Sequence, residues 1–228
     1  MAKIGIICAL DCEIEMFIRD FDAKLTDNKY IYKGNYCGHE IYLTLCGVGK
    51  VNAAVCSQRL FDYVTLDGII NSGVAGGVSD KLNVCDLAIS SELTYHDFSP
   101  IDVLDKYSPG CSVFKADKKL VSLAENAAEK LISTGESFVH ETGMIVSGDM
   151  FVEDDTYKKG LKERFSAVCT EMEGAAVAHA AILNEVPFVV IRAISDNADG
   201  EANMSFEQMC GIAAKRASYI VKEMISQY

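Results

Sequence analysis

A chain of 228 residues, half of them apolar and 24% charged, can bury about 70% of its unfolded surface in one domain, which excludes a mainly disordered protein. The formal net charge of −12 disfavours phosphate backbones and anionic membranes as partners and suits a small neutral ligand. Nine cysteines without C-x-x-C spacing exclude a zinc knuckle and a disulfide scaffold, and point to reduced thiols in the cytoplasm.

At the N-terminus a short apolar run meets Asp11, Glu13 and Glu15 at once, unlike a signal peptide, and no later run reaches the ~20 apolar residues of a membrane helix. Residues 3–9 (KIGIICA) are apolar almost throughout, as in a strand buried on both faces, so Asp11 to Glu13 fall at its carboxyl end. Residues 29–36 and 39–46 flank Cys37-Gly38 and predict a hairpin. Gly47 and Gly49 then loosen the chain before a helix over 51–63. The segment 66–78 (LDGIINSGVAGGV) predicts a buried strand running into a glycine turn, which either admits a ligand to backbone amides or simply turns the chain.

A strand over 84–90 precedes a long loop from Ser91 to Pro109, and an amphipathic helix over 117–133 takes Asp117 as its cap. A strand over 143–147 leads to a helix over 154–165. An alanine-rich helix over 173–184 precedes the apolar strand 188–194, which delivers Ser195, Asp196 and Asn197, and the last helix covers 206–226. This order predicts one α/β domain over 1–228, a central, mixed, mostly twisted β-sheet with helices on both faces. Ligands of such sheets sit beyond the carboxyl ends of strands, so four segments should converge: Asp11 to Glu13, Ser72 to Gly77, Ser147 to Phe151, and Ser195 to Asn197.

Two charged features stand out. Glu171-Met-Glu173-Gly174 opens the alanine-rich helix, where carboxylates meet a favourable dipole and unpaired amides; taken alone, an acidic first turn without chemistry is the better explanation of it. Arg192 lies in so apolar a strand that it needs a buried partner, for which Glu13 or Glu173 is the natural candidate. The four histidines have no metal-ligand spacing, and neither a P-loop, a dinucleotide fingerprint nor a G-x-S-x-G elbow is present, so no metal or organic cofactor is expected.

The motifs GIICALDCEIE (5–15), GVGKVNAA (47–54), NSGVAGG (71–77), YHD (95–97), FKAD (114–117), IVSGDMF (145–151), TEMEGAAVAH (170–179) and VPFVVIRAISDNAD (186–199) resemble, in order, those of the 5'-methylthioadenosine/S-adenosylhomocysteine nucleosidases of the nucleoside phosphorylase family. The resemblance implies a nucleoside phosphorylase-like fold, a homodimer, and hydrolysis of the adenine–ribose bond of 5'-substituted adenosines. It implies that Asp196 protonates adenine N7, Glu173 binds the ribose hydroxyls and Glu13 positions the attacking water. Arg192 would orient the acidic groups and Ser195 would steady Asp196. Phe151 would stack on adenine, the Val152 backbone would read its edge, Met172 would lie beneath the ribose, and Val74 and Phe206 would line the pocket. The chain departs from the family at Leu10, where methionine is usual, at Val74, where serine is usual, and over 98–110, which helps form the 5' pocket. The alternatives are phosphorolysis of a purine nucleoside, with Arg19, Lys50 or Arg59 as early cationic candidates, and a nucleoside-binding protein without catalysis.

Overall fold

The computed structural model describes residues 1–196 and 206–228, with all their side chains except those at 196 and 206–209. The first half runs β1 (Lys3–Cys8), α1 (Asp11–Asp20), β2 (Lys24–Leu25), β3 (Ile31–Tyr36), β4 (His39–Leu45), α2 (Lys50–Tyr63), β5 (Gly68–Gly77) and β6 (Leu87–Tyr95). It continues with α3 (Val103–Lys106), β7 (Phe114–Lys115), α4 (Lys118–Ser133), β8 (His140–Ser147), α5 (Asp155–Phe165), β9 (Ala167–Glu171), α6 (Gly174–Leu183), β10 (Phe188–Asp196) and α7 (Phe206–Ser226).

These strands form one mixed sheet in the order β10-β6-β8-β9-β5-β1-β4-β3-β2, with β7 added beside β6. A further parallel pairing of β10 with β5 returns the order on itself, so β5, β10, β6, β8 and β9 make a closed circuit. The expected α/β architecture holds. The closure does not follow from alternating elements, because it depends on the two-residue pairing of Gly76 and Gly77 with Thr170 and Cys169.

Strand alternation sorts the core into two faces. On one, Ile4, Ile6 and Cys8 of β1 and Val189, Ile191 and Ala193 of β10 pack with Phe17 of α1, Ala124 of α4 and Ile220 of α7. On the other, Ile7, Phe188, Val190 and Ile194 pack with Leu60 of α2 and the alanines of α6. Small side chains let α6 lie close to the sheet and to α2. The period of two puts Arg192 on this second face, between Val190 and Ile194.

Three expectations change in detail. The glycine-rich stretch is not a turn: β5 continues through Gly77, because glycines let its backbone lie flush against buried charged groups and swing from β1 toward β9. The expected loop from Ser91 is strand as far as Tyr95 and contains the short helix α3. Two short strands, β2 and β7, and the strand β9 were hidden in segments too brief or too mixed to show a period. Asp117 caps α4 as expected, accepting the Leu120 amide at 3.0 Å. No helix among the described residues is long and apolar enough to cross a membrane.

Candidate active site

A cavity of about 250 Å³ opens where β1, β5, β9 and β10 end, and the segments 9–13, 74–76, 150–152, 170–173 and Ser195 line it. All four segments expected to converge do so, as far as they are described. The wall carries Glu13, Val74, Phe151, Val152, Met172, Glu173 and Ser195. Phe151, 57% exposed, stands at the mouth, and Val152 is buried behind it. Asp196 ends β10 with its backbone opposite Gly76 of the wall; its side chain, Asn197 and the side chain of Phe206 lie outside the described residues.

Glu13 occupies the first turn of α1, where orphan amides face the end of β1. One carboxylate oxygen accepts the amides of Ala9 (2.9 Å) and Leu10 (3.0 Å), and the other accepts the Val74 amide (3.0 Å). Leu10 has no polar side chain to cap the helix, so Glu13 supplies the only side-chain half of a capping box there. Burial raises its proton affinity, opposed by Arg192 and by the three amides.

Arg192 does not line the cavity but lies directly behind it, 1% exposed. Its Nη2 donates to the Glu171 carboxylate and to Asn71 Oδ1 (2.6 Å), and lies 3.7 Å from Glu173 Oε2. Burial works against its charge, yet Glu171, Glu173 and Glu13 together outweigh burial and hold the proton more firmly than usual. In register across β5 stands Gly73. A Cβ there would lie 2.5 Å from Glu13 Oε1 and 2.7 Å from Arg192 Nη1, so only glycine lets the two charged groups share this space.

Glu173 immediately precedes α6. Its Oε1 accepts the Gly49 amide at 2.8 Å, while Oε2 takes no hydrogen bond from the described residues. Burial and the neighbouring Glu171 carboxylate push its pKa up to about 7, against Arg192 and the Gly49 amide. The partner of Arg192 differs from expectation: Glu171 makes the direct ion pair, and Glu173 stands farther off. Sequence reading saw Glu171 only as part of an acidic first turn. Its signal was position, as the last residue of a strand that runs straight into a helix.

A second ion-pair network borders the mouth. Lys50 Nζ sits 2.6 and 2.7 Å from the Asp97 carboxylate oxygens and 3.6 Å from Asp149, and Asp149 also accepts the Lys50 amide at 2.8 Å. This bridge ties the Gly49 turn, whose amide holds Glu173, to the loop carrying Phe151. The other early cations lie elsewhere: Arg19 pairs with Asp20, and Arg59 stacks 3.9 Å above the Tyr30 ring. Among the described residues, no group of three or more His, Cys, Asp or Glu is arranged to hold a metal ion.

Comparison with known proteins agrees with this arrangement. A family model described as the Phosphorylase superfamily matches residues 3–226. The 5'-methylthioadenosine/S-adenosylhomocysteine nucleosidase of Staphylococcus carnosus is 38% identical over 97% of this chain and 98% of its own length. The crystal structure of the 5'-methylthioadenosine/S-adenosylhomocysteine nucleosidase from Neisseria meningitidis with methylthio-immucillin-A superposes with a TM-score of 0.88 at 32% identity, covering 100% of both chains. The futalosine hydrolase of Helicobacter pylori superposes with a TM-score of 0.87 at 30% identity, covering 100% of this chain and 98% of that one. The chain belongs to the phosphorylase superfamily and, within it, to the 5'-methylthioadenosine/S-adenosylhomocysteine nucleosidase family.

Proposed function

We propose that the chain hydrolyses the N-glycosidic bond of 5'-methylthioadenosine, S-adenosylhomocysteine or a related 5'-substituted adenosine, releasing adenine and the 5'-substituted ribose. The observation that carries this reading is the charge of the cavity: Glu13, Glu171 and Glu173 line it, and its described lining includes no lysine or arginine. A phosphate dianion would meet carboxylates with no free cation to receive it. Water and a sugar gaining positive charge are favoured by the same wall.

In this reading the C1'–N9 bond breaks with its electron pair moving to adenine, and Asp196 transfers a proton to N7 so that the base leaves neutral. Water attacks C1' and passes its proton to Glu13, whose remaining acceptor capacity lies on the oxygen held by Val74. Glu173 Oε2 receives the ribose hydroxyls, Met172 lies beneath the sugar, and Phe151 and the Val152 backbone hold the base. Arg192 keeps the carboxylates oriented from behind, Ser195 steadies Asp196, and Val74 and Phe206 close the pocket.

The same reading includes a homodimer. Val48 and Met150 expose apolar side chains at the cavity, and Val51 and Val55 of α2 expose two more, a surface suited to a second copy of the chain. Nine cysteines without C-x-x-C spacing suit a reducing cytoplasm.

The test is adenine release from 5'-methylthioadenosine, with and without phosphate. Release without phosphate, giving a free thioribose, is expected, and Asp196→Asn should be slower by about 10²–10⁴-fold. A strict phosphate requirement with a ribose-1-phosphate product would overturn hydrolysis.

A further inference from the structure

Glu171 shares the cavity wall with Glu173 but offers nothing to a ligand. Its side chain is 2% exposed. One oxygen is taken by the Ser147 hydroxyl, and the other by Arg192 Nη2 together with the amides of Glu173 (3.0 Å) and Gly174 (2.7 Å). Ser147 Oγ in turn accepts the Ala175 amide at 2.7 Å. The consecutive amides of Glu173, Gly174 and Ala175, which open α6 and would otherwise be orphaned, are therefore satisfied by two side chains joined to each other.

We propose that Glu171 is a positioning residue for the reaction, holding Arg192 and the first turn of α6 in one register so that Glu173 keeps one carboxylate oxygen free for the ribose. The inference rests on the hydrolytic reading above. The division of labour follows from acceptor capacity. A carboxylate that already receives four donors cannot bind a hydroxyl, whereas Glu173 spends one oxygen on Gly49 and keeps the other. Glutamine is a poor replacement for Glu171: it loses the charge that pairs with Arg192, and with its oxygen on the guanidinium its NH₂ group displaces the proton that the Ser147 hydroxyl now donates. Aspartate keeps the charge but is one methylene short.

Glu171 also acts on Glu173 through space. The charged and titratable groups facing Glu173 are Glu171 from the end of β9, Arg192 from β10, Glu13 from α1, and Cys46 beyond β4. Neutralising Glu171 removes a negative charge from this set, so Glu173 should ionise at lower pH.

The experiment measures kcat and KM for adenine release from 5'-methylthioadenosine between pH 5 and 9, for the wild type, Glu171→Gln, Glu171→Asp and Ser147→Ala. Glu171→Gln is expected to lower kcat by about 100-fold with KM changed less than about threefold, as misplacement of a reacting group does. The acid limb of its kcat/KM profile should move to lower pH, and Glu171→Asp should recover about tenfold of the loss. Ser147→Ala should lower kcat by about tenfold. A folded Glu171→Gln with wild-type kcat and an unshifted limb, or with a rise in KM alone, would overturn the proposal. If Glu171→Gln does not fold, Ser147→Ala decides it, and wild-type kcat there overturns it. A wild type that releases no adenine sinks the hydrolytic reading and this inference with it; an active wild type with unaltered variants sinks the inference alone.

Discussion

Two ion-pair clusters border one cavity, and they differ in their access to water. In the wall and directly behind it, Glu171 and Arg192 are 2% and 1% exposed, with Glu173 and Glu13 close by. At the mouth, the side chains of Lys50, Asp97 and Asp149 are 21%, 25% and 49% exposed. The chemistry of the groups is alike, yet low dielectric makes every charge in the first cluster feel every other, whereas solvent screens the second. The buried cluster therefore couples the proton affinities of several groups, whereas the exposed one, against partial burial, lowers that of Asp97 through Lys50 and the Asp149 amide and holds two loops together.

The sharpest way to break this contrast is to remove one cation from each side. Arg192→Met leaves the Glu13, Glu171 and Glu173 carboxylates without the guanidinium that compensates them, and should cost about 3–5 kcal/mol of stability in urea unfolding. Lys50→Met at the mouth should cost about 1 kcal/mol or less. Equal losses would show that burial does not separate the clusters.

Glu173→Gln sharpens the comparison through pH. The folded-state pKa of Glu173 is raised from 4.5 to about 7, so its contribution to stability is fully present below pH 4.5 and is lost as pH rises through about 7. The wild type should thus lose roughly 1–3 kcal/mol relative to Glu173→Gln between pH 4.5 and 8. The variant should be the more stable protein at pH 8, and adenine release should fall to near background. Urea midpoints at a series of pH values test the first statement; parallel curves for the two proteins would refute it.

What the sequence disclosed of this contrast depends on how local each signal is. Strand ends are local, so β1, β5 and β10 and the segments they deliver were legible from apolar runs and the polar residues that follow them. A buried arginine announces that it needs a partner, but not which one. Glu171, Glu173 and Glu13 are equivalent in composition, and only the closure of the strand circuit puts Glu171 nearest. Gly73 was read as part of a turn because glycine permits turns. Its actual role, yielding space to two side chains from α1 and β10, is a property of three segments at once. The roles of Asp196 and Phe206 came from family resemblance, and their side chains lie outside the described residues.

Gly73→Ala tests that shared space directly. With a methyl placed 2.5 Å from Glu13 Oε1 and 2.7 Å from Arg192 Nη1, one of these groups must move, although neither is itself altered. Overpacking of this kind should cost about 1–3 kcal/mol, and displacement of Glu13 should slow adenine release at unchanged pH. Wild-type activity would mean that the position of Glu13 is not critical.

The smallest effect is expected at the mouth, and salt identifies it. Asp97→Asn removes one charge of the Lys50 bridge while leaving an oxygen to accept the Asp149 amide, which it now does at 2.8 Å. The loss should be about 0.2–1 kcal/mol at low ionic strength. Raising salt to about 1 M shortens the screening length to roughly 3 Å and should erase most of it. The penalty of Arg192→Met should hardly change over the same range, because ions do not reach a guanidinium sealed behind the cavity wall. The decisive measurement is therefore the slope of each penalty against salt. If the Asp97→Asn penalty persists at high salt, the bridge is a packed structural element whose geometry, rather than its charge, fixes the Gly49 turn against the loop that carries Phe151.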